Sequence, residues 1–224
     1  MKSWDKMWES MYQKGYGARY PNEELVRFIS RLFKNLKKEK KSVKILEVGC
    51  GSGANVWYLA REGFSVYGID GSETAINVCA ERLKKEGLKA EIKIGDMSTL
   101  PYSDKYFDVV IDIASIQHNT PDEIKKIIAE IYRVMKAGGS FFSFTRSDKD
   151  YLFGHGWKIA ENTFTDIPIG DAKGVGKMHF FTVPEIKELL AKTGFKEFNV
   201  EYTERTVENM SYIIAHYIVT ARKG

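Results

Sequence analysis

Only two cysteines, Cys50 and Cys79, and five prolines occur in the 224 residues of this chain. Two cysteines cannot frame a disulfide-stapled fold, and a reduced compartment is the simpler expectation. No run approaches 18 apolar residues, so no membrane-spanning helix is expected. Charge of one sign is also scarce. Lys+Arg 34 against Asp+Glu 30 leaves a net +4, too mild to predict a nucleic-acid or membrane partner. The opening residues Met1-Lys2-Ser3-Trp4-Asp5 lack an apolar core of the kind a secretory signal needs. Repeats and low-complexity tracts are missing too. What is there is a hydrophobic share of 43% and a charged share of 29%, the balance of a globular domain with a sizeable core. A cytoplasmic protein, monomer or homodimer, is expected.

The chain reads in two parts. Residues 1–40 have the pattern of a helical cap. Met7, Trp8, Met11 and Tyr12 recur at helical spacing until Gly15 and Gly17. A second helix starts at the N-cap Asn22 and carries the stripe Leu25, Phe28, Ile29 and Leu32. The basic run Arg31, Lys34, Lys37, Lys38, Lys40, Lys41 and Lys44 has no interleaved aromatic platform and reads as a solvated helix end. From 41 to 224, short apolar runs alternate with helical patterns. Strands are expected at Val43–Val48, Ser65–Ile69, Ala90–Ile94, Phe107–Ile113 and Ser140–Thr145. Between them lie helices at Asn55–Arg61, at Ser72–Glu86 and after the capping box of Thr120 and Glu123, this last ending at Gly138-Gly139. This rhythm predicts a doubly wound α/β fold, a mostly parallel sheet with helices on both faces. Residues 146–180 break it, with five glycines, Gly154, Gly156, Gly170, Gly174 and Gly176, and no clear period. A structureless, lid-like insert is expected there. A capped helix at Val183–Lys192 and two strands, Phe195–Tyr202 and Tyr212–Thr220, close the chain.

The densest chemistry lies in Glu47-Val48-Gly49-Cys50-Gly51-Ser52-Gly53, where a buried strand runs through a glycine-rich turn into a helix. Such a turn lets a ligand approach backbone N–H groups at a helix N-terminus. Asp70 follows the next strand, placed to accept from ribose hydroxyls, and Asp96-Met97 follows the third. All meet at the carboxyl ends of the strands. The third glycine of a dinucleotide fingerprint falls on Ala54-Asn55, which argues against a nicotinamide dehydrogenase.

Taken in order, these motifs resemble the class I S-adenosylmethionine-dependent methyltransferases, over roughly Val43 to Gly224. The resemblance implies a seven-stranded sheet whose last strand is antiparallel, and S-adenosylmethionine as cofactor. It implies cofactor contacts from Glu47, Gly49, Cys50, Gly51, Gly53 and Asn55, from Asp70 and Gly71 at the ribose, and from Asp96 and Met97 at the adenine. The end of the Phe107-Asp108-Val109-Val110 strand, Asp112 and Ile113, is implied to face the methionine part. Arg133-Val134-Met135-Lys136-Ala137-Gly138-Gly139 is similar to the family's turn before strand five. Tyr12, Tyr16 and Arg19 are candidates to fold over the cofactor, Arg19 pairing with its carboxylate. Cys50 reads as a small residue in a tight turn rather than a nucleophile.

For the acceptor, His118 beyond the fourth strand is the candidate base, with a family alternative as a structural or substrate-contacting residue. His155, His179, Trp157 and Tyr16 are candidate substrate contacts. No spacing among Asp112, His118, His155 and His179 fixes a metal, and none is expected. The reading is methyl transfer to a small-molecule or sugar-like acceptor, at oxygen. A tRNA-modifying methyltransferase and a non-catalytic scaffold are the alternatives.

Overall fold

Alternation along the strands decides the layers. In β1 (Lys44–Val48), Leu46 and Val48 point into one apolar cluster while Ile45 points into another on the opposite face. In β4 (Phe107–Ile113), Val110 joins the first cluster, and Val109 and Ile111 the second. A strand buried on both faces needs helices on both sides. The computed structural model describes residues 4–35 and 39–224, so Lys37 and Lys38 of the basic run lie outside the described residues.

Around β1 and β4 the sheet adds β2 (Ser65–Asp70), β3 (Glu91–Ile94), β5 (Met135–Arg146), β9 (Phe195–Val207) and β10 (Tyr212–Lys223). The order is β3-β2-β1-β4-β5-β10-β9, with the first five parallel and β10 antiparallel to both its neighbours. The expected seven-stranded sheet with its antiparallel last strand is what forms. One face carries α2 (Glu23–Leu32), α3 (Ala54–Arg61) and α4 (Glu73–Lys85), and the other α5 (Pro121–Val134) and α6 (Val183–Thr193). Both expected capping boxes are made, at Thr120/Glu123 and Thr182/Glu185.

Three expectations shift. The helix expected to run to Gly138-Gly139 stops at Val134, because fully buried Met135 turns extended and pairs with Phe107. The two last strands are longer than expected and form one hairpin, closed by Glu208, Asn209 and Met210 at positive φ. The insert is folded. Strands β6 (Trp157–Ala160), β7 (Thr163–Thr165) and β8 (Met178–His179) make a small antiparallel sheet. Leu152, Phe164, Ile167, Val175, Met178 and Phe180 give it a core of its own. No helix or strand period was legible there because each strand spans only two to four residues.

The first forty residues divide between two places. Helix α1 (Met7–Gln13) lies at the carboxyl ends of the strands, where Met7, Trp8 and Met11 pack on the insert's core. Its Glu9 carboxylate accepts from Ser72 Oγ at 2.6 Å and from Thr74 Oγ1 and N–H at the start of α4. Helix α2 instead lies against a sheet face, where Phe28 stacks on Phe142 with ring centroids 4.7 Å apart.

Candidate active site

The turn after β1 is shaped by glycines that no other residue replaces. Gly51 has φ +50°, and a Cβ there would run into the Tyr12 hydroxyl. Gly53, at φ +78° on the N-terminus of α3, would drive a Cβ into Cys79 Sγ. L-residues avoid this region of φ, and the close neighbours exclude a side chain as well. The backbone therefore stays bare, facing a cavity of about 580 Å³.

Three carboxylates organise the strand ends. Asp70 Oδ2 accepts from Gly51 N–H at 2.8 Å and Oδ1 from Ser72 N–H at 2.8 Å. Burial pushes its carboxyl above the ordinary range, against these hydrogen bonds. Glu47 is fully buried. Its Oε1 accepts from Asn55 Nδ2 at 2.7 Å, and Asn55 Oδ1 accepts from Asn22 N–H at 2.9 Å, tying the N-terminal segment to the glycine turn. Glu47 Oε2 is buried without a partner, and burial raises its carboxyl to about 8. An unpartnered buried carboxylate oxygen is costly unless a donor or cation meets it. Asp112 Oδ1 accepts from Ser115 and Ile116 N–H, both at 3.0 Å, and Oδ2 from Ser143 Oγ at 2.6 Å. It holds the turn in which Ala114 sits at φ +55°. Asp112 thus shapes the wall from behind and does not line the cavity.

Of the expected residues, Glu47, Gly49, Cys50, Gly51, Asn55, Asp70, Gly71, Met97, Ile113, His118 and Tyr16 line one cavity. The others stand elsewhere. Gly53 supports the turn from beneath. Asp96 Oδ1 accepts from Ser98 N–H and Oγ, at 2.8 and 2.7 Å, which turns it toward its own loop. Arg19 is exposed beyond the wall, because the Ala18 carbonyl is held by Ser52 Oγ and by Arg82. Trp157 is 74% exposed and His155 lies on the outer surface of the insert. His179 is fully buried outside the cavity, Nδ1 bonded to Thr163 Oγ1 at 2.8 Å and Nε2 to Glu185 Oε1 at 2.9 Å. It joins the insert to α6.

His118 Nδ1–H donates to the Lys177 carbonyl at 2.9 Å, and Nε2 accepts a long hydrogen bond from the Gln117 side-chain amide at 3.4 Å. Burial lowers its imidazole to about 4, so it is neutral near pH 7. Trp8 meets the ring edge-on at 4.7 Å, and Tyr16 and Tyr12 continue this aromatic wall. Burial raises both phenols, which stay protonated. It also raises the Cys50 thiol, in keeping with an inert turn residue.

Sequence reasoning did not single out Trp4, Arg146, Asp171, Arg205 or His216 for the wall. Arg146 had a usable signal, a charged residue at the carboxyl end of a buried strand. Arg205 and His216 had none, since they enter from a hairpin whose partner strand pairs with it 70 or more residues back in the chain. Among the described residues there is no group of three His, Cys, Asp or Glu able to hold a metal ion, and no helix long and apolar enough to cross a membrane.

A family model described as "Methyltransferase domain" matches residues 45–139, the segment that carries the glycine turn, Asp70 and the β4 end. Over that segment the chain is similar to methyltransferase domains. A solved structure of a SAM-dependent methyltransferase from Methanosarcina mazei superposes with a TM-score of 0.68 at 29% identity, covering 86% of this chain and 96% of that one. The ubiquinone biosynthesis O-methyltransferase of Pelagibacter ubique is 31% identical over 137 residues, 60% of this chain and 55% of that relative. The fatty-acid O-methyltransferase of Mycolicibacterium smegmatis is 34% identical over 124 residues, 54% of this chain and 44% of that relative. The chain thus spans about half the length of the curated relatives it matches.

Proposed function

We propose that this methyltransferase transfers a methyl group from S-adenosylmethionine to a small-molecule acceptor, at oxygen. The observation that carries the reading is a single cavity joining the bare glycine turn, Asp70 and the unpartnered oxygen of Glu47 to a neutral His118. These residues fit the cofactor. The Gly49–Gly51 backbone leaves room for its amino-acid part, Asp70 offers a carboxylate to its ribose, and Glu47 Oε2 meets its ammonium. Met97 and Ile113 give apolar contact beside the adenine and the methionine chain. When bound, the cofactor supplies an activated methyl on a sulfonium.

The rest falls to the chain. Trp8, Tyr12 and Tyr16 cover the cavity, exclude water and present ring faces, which attract a positive centre. The wall positions the acceptor in line, the largest part of what such an enzyme must do. His118 Nε2 takes the proton from the acceptor oxygen once its long contact with the Gln117 amide, at 3.4 Å, gives way. A base with a value near 4 suffices, because a hydroxyl becomes strongly acidic as its oxygen gains a carbon. The names of the two relatives favour oxygen. A net charge of only +4 favours a small acceptor over tRNA.

Titrating the protein calorimetrically with S-adenosylhomocysteine tests the cofactor half. With an acceptor in hand, His118→Ala tests the base. Turnover that keeps its rate and pH profile without the imidazole removes His118 from that role.

A further inference from the structure

The acceptor side of the cavity is built from three neighbouring strands. Arg146 ends β5 and pairs in register with His216 of β10, while Arg205 of β9 pairs with Ile214 of β10. His216 and Ile214 are two apart, so cross-strand pairing puts Arg146, His216, Ile214 and Arg205 on one face of the sheet. All four line the cavity.

The two guanidiniums are in different states. Arg146 is buried, with its side chain 6% exposed. One terminal nitrogen donates to the fully buried Asp150 carboxylate at 2.6 Å, and that carboxylate is fixed further by the Ala215 and Leu152 N–H groups. The other terminal nitrogen donates to Asp171, a residue of the insert whose side chain is 57% exposed. The Arg146 Nε–H is buried with no acceptor. Among the described residues, Arg205 has no carboxylate within ion-pair distance. Both cations act on His216, and burial together with them holds its imidazole neutral, near 4. The wall therefore contains one cation without a partner, a buried donor without an acceptor, and one carboxylate, Asp171, that reaches in from a solvent-exposed turn.

We propose that the acceptor carries an anionic group, a carboxylate or a phosphate, seated between Arg205 and Arg146 in the place that Asp171 takes in this structure. This rests on the methyltransferase reading and adds the class of acceptor. Asp150 stays with Arg146 throughout, since its buried charge has no other cation. Asp171 is the exchangeable partner. The acceptor's anion frees it into solvent, where a carboxylate loses little. His216, neutral and stacked on Phe144 with centroids 4.2 Å apart, closes the wall without competing for the anion.

Benzoate, phenyl phosphate, benzamide and benzylamine are suitable probes. They share a ring and differ in the charge of the head group. Each is titrated by ligand-observed NMR into the protein alone and into the protein saturated with S-adenosylhomocysteine. The expected result is that benzoate or phenyl phosphate binds about tenfold or more tightly than benzamide, the span of one charge-assisted hydrogen-bond pair. Which of the two leads distinguishes carboxylate from phosphate. Arg205→Gln, on an exposed strand, should remove most of that preference and leave the affinity for S-adenosylhomocysteine unchanged. Asp171→Asn should raise anion affinity several-fold. Equal binding of all four probes, a preference for benzylamine, no binding at millimolar probe, or a preference that survives Arg205→Gln would each overturn the proposal. Failure of S-adenosylhomocysteine to bind counts against the cofactor reading instead, and the titration of the protein alone still decides the anion site.

Discussion

The two halves of the cavity are made differently. The cofactor half comes from one contiguous stretch of chain, β1 through β4, and its chemistry is largely backbone: bare N–H groups at glycines, held by carboxylates at the strand ends. The acceptor half comes from α1, the end of β5, the insert and the β9–β10 hairpin, and its chemistry is side chains from remote segments. A site made of backbone must repeat its glycines and acids at fixed spacing, so it shows in sequence. A site made of side chains brought together by topology leaves no local pattern. The same contrast separates what a mutation should do in each half.

The largest effect is expected where backbone space is filled. Gly53→Val forces a side chain into the left-handed region, at φ +78°, and into Cys79. The strain and overpacking together should cost about 3 kcal/mol or more. The thermal midpoint should then fall by roughly 6–12 °C for a chain of this size. A midpoint within two degrees of the parent would break the claim that this turn is tightly constrained.

Next comes Asp70→Ala. Loss of a charge-assisted contact should weaken S-adenosylhomocysteine binding by about 1.5–3 kcal/mol, roughly 10–100-fold, in a calorimetric titration. Arg205→Gln, on the other half, should leave that affinity where it was.

Glu47 makes a pH-dependent prediction. Its carboxyl sits at about 8 in the folded protein against an ordinary 4.5. Between those values the folded chain keeps a proton that the unfolded chain has lost, so stability declines as pH rises through that window. Glu47→Gln should flatten the decline in midpoint measured from pH 5 to 8. Asp112 and Asp70 are also raised by burial, so a residual slope should remain. An ammonium beside Oε2 favours the ionised carboxylate. Binding of S-adenosylhomocysteine at pH 7 should therefore release a proton, read as a buffer-dependent enthalpy that Glu47→Gln removes.

The smallest effects separate the insert's histidines. His179→Ala unpairs Thr163 and Glu185 in a buried position and should lower stability by about 1–3 kcal/mol. His155→Ala and Trp157→Ala, on the surface, should stay within roughly 0.5 kcal/mol. A loss of cofactor or anion binding in either surface variant would return the insert's outer face to the site.

These particulars explain what was legible. The order of strands and helices and both capping boxes follow from local signals, apolar runs, N-cap residues and turn glycines, whereas the antiparallel end of the sheet came only with the family resemblance. The glycine turn, Asp70 and Met97 fall on one cavity because strand ends in this topology converge. Asp112 braces a turn and does not line the cavity, and in sequence a carboxylate at a strand end has the same appearance in either role. Arg19 stands exposed outside the cavity because the neighbouring Ala18 carbonyl is held by two residues distant in the chain, which no local pattern shows. The insert shows no period in sequence because its three strands are short, and its core draws on Met7, Trp8 and Met11 from the far end of the chain. His216 and Arg205 enter the wall only through pairing across β5, β10 and β9.

The central claim is that the glycine turn with Asp70 and Glu47 holds S-adenosylmethionine in a cavity shared with His118. Calorimetric titration of the purified protein with S-adenosylhomocysteine, run beside Asp70→Ala and Arg205→Gln, tests it most directly. The account predicts micromolar binding that drops at least tenfold in Asp70→Ala and is unchanged in Arg205→Gln. No binding by the parent protein, or equal binding by Asp70→Ala, would contradict it.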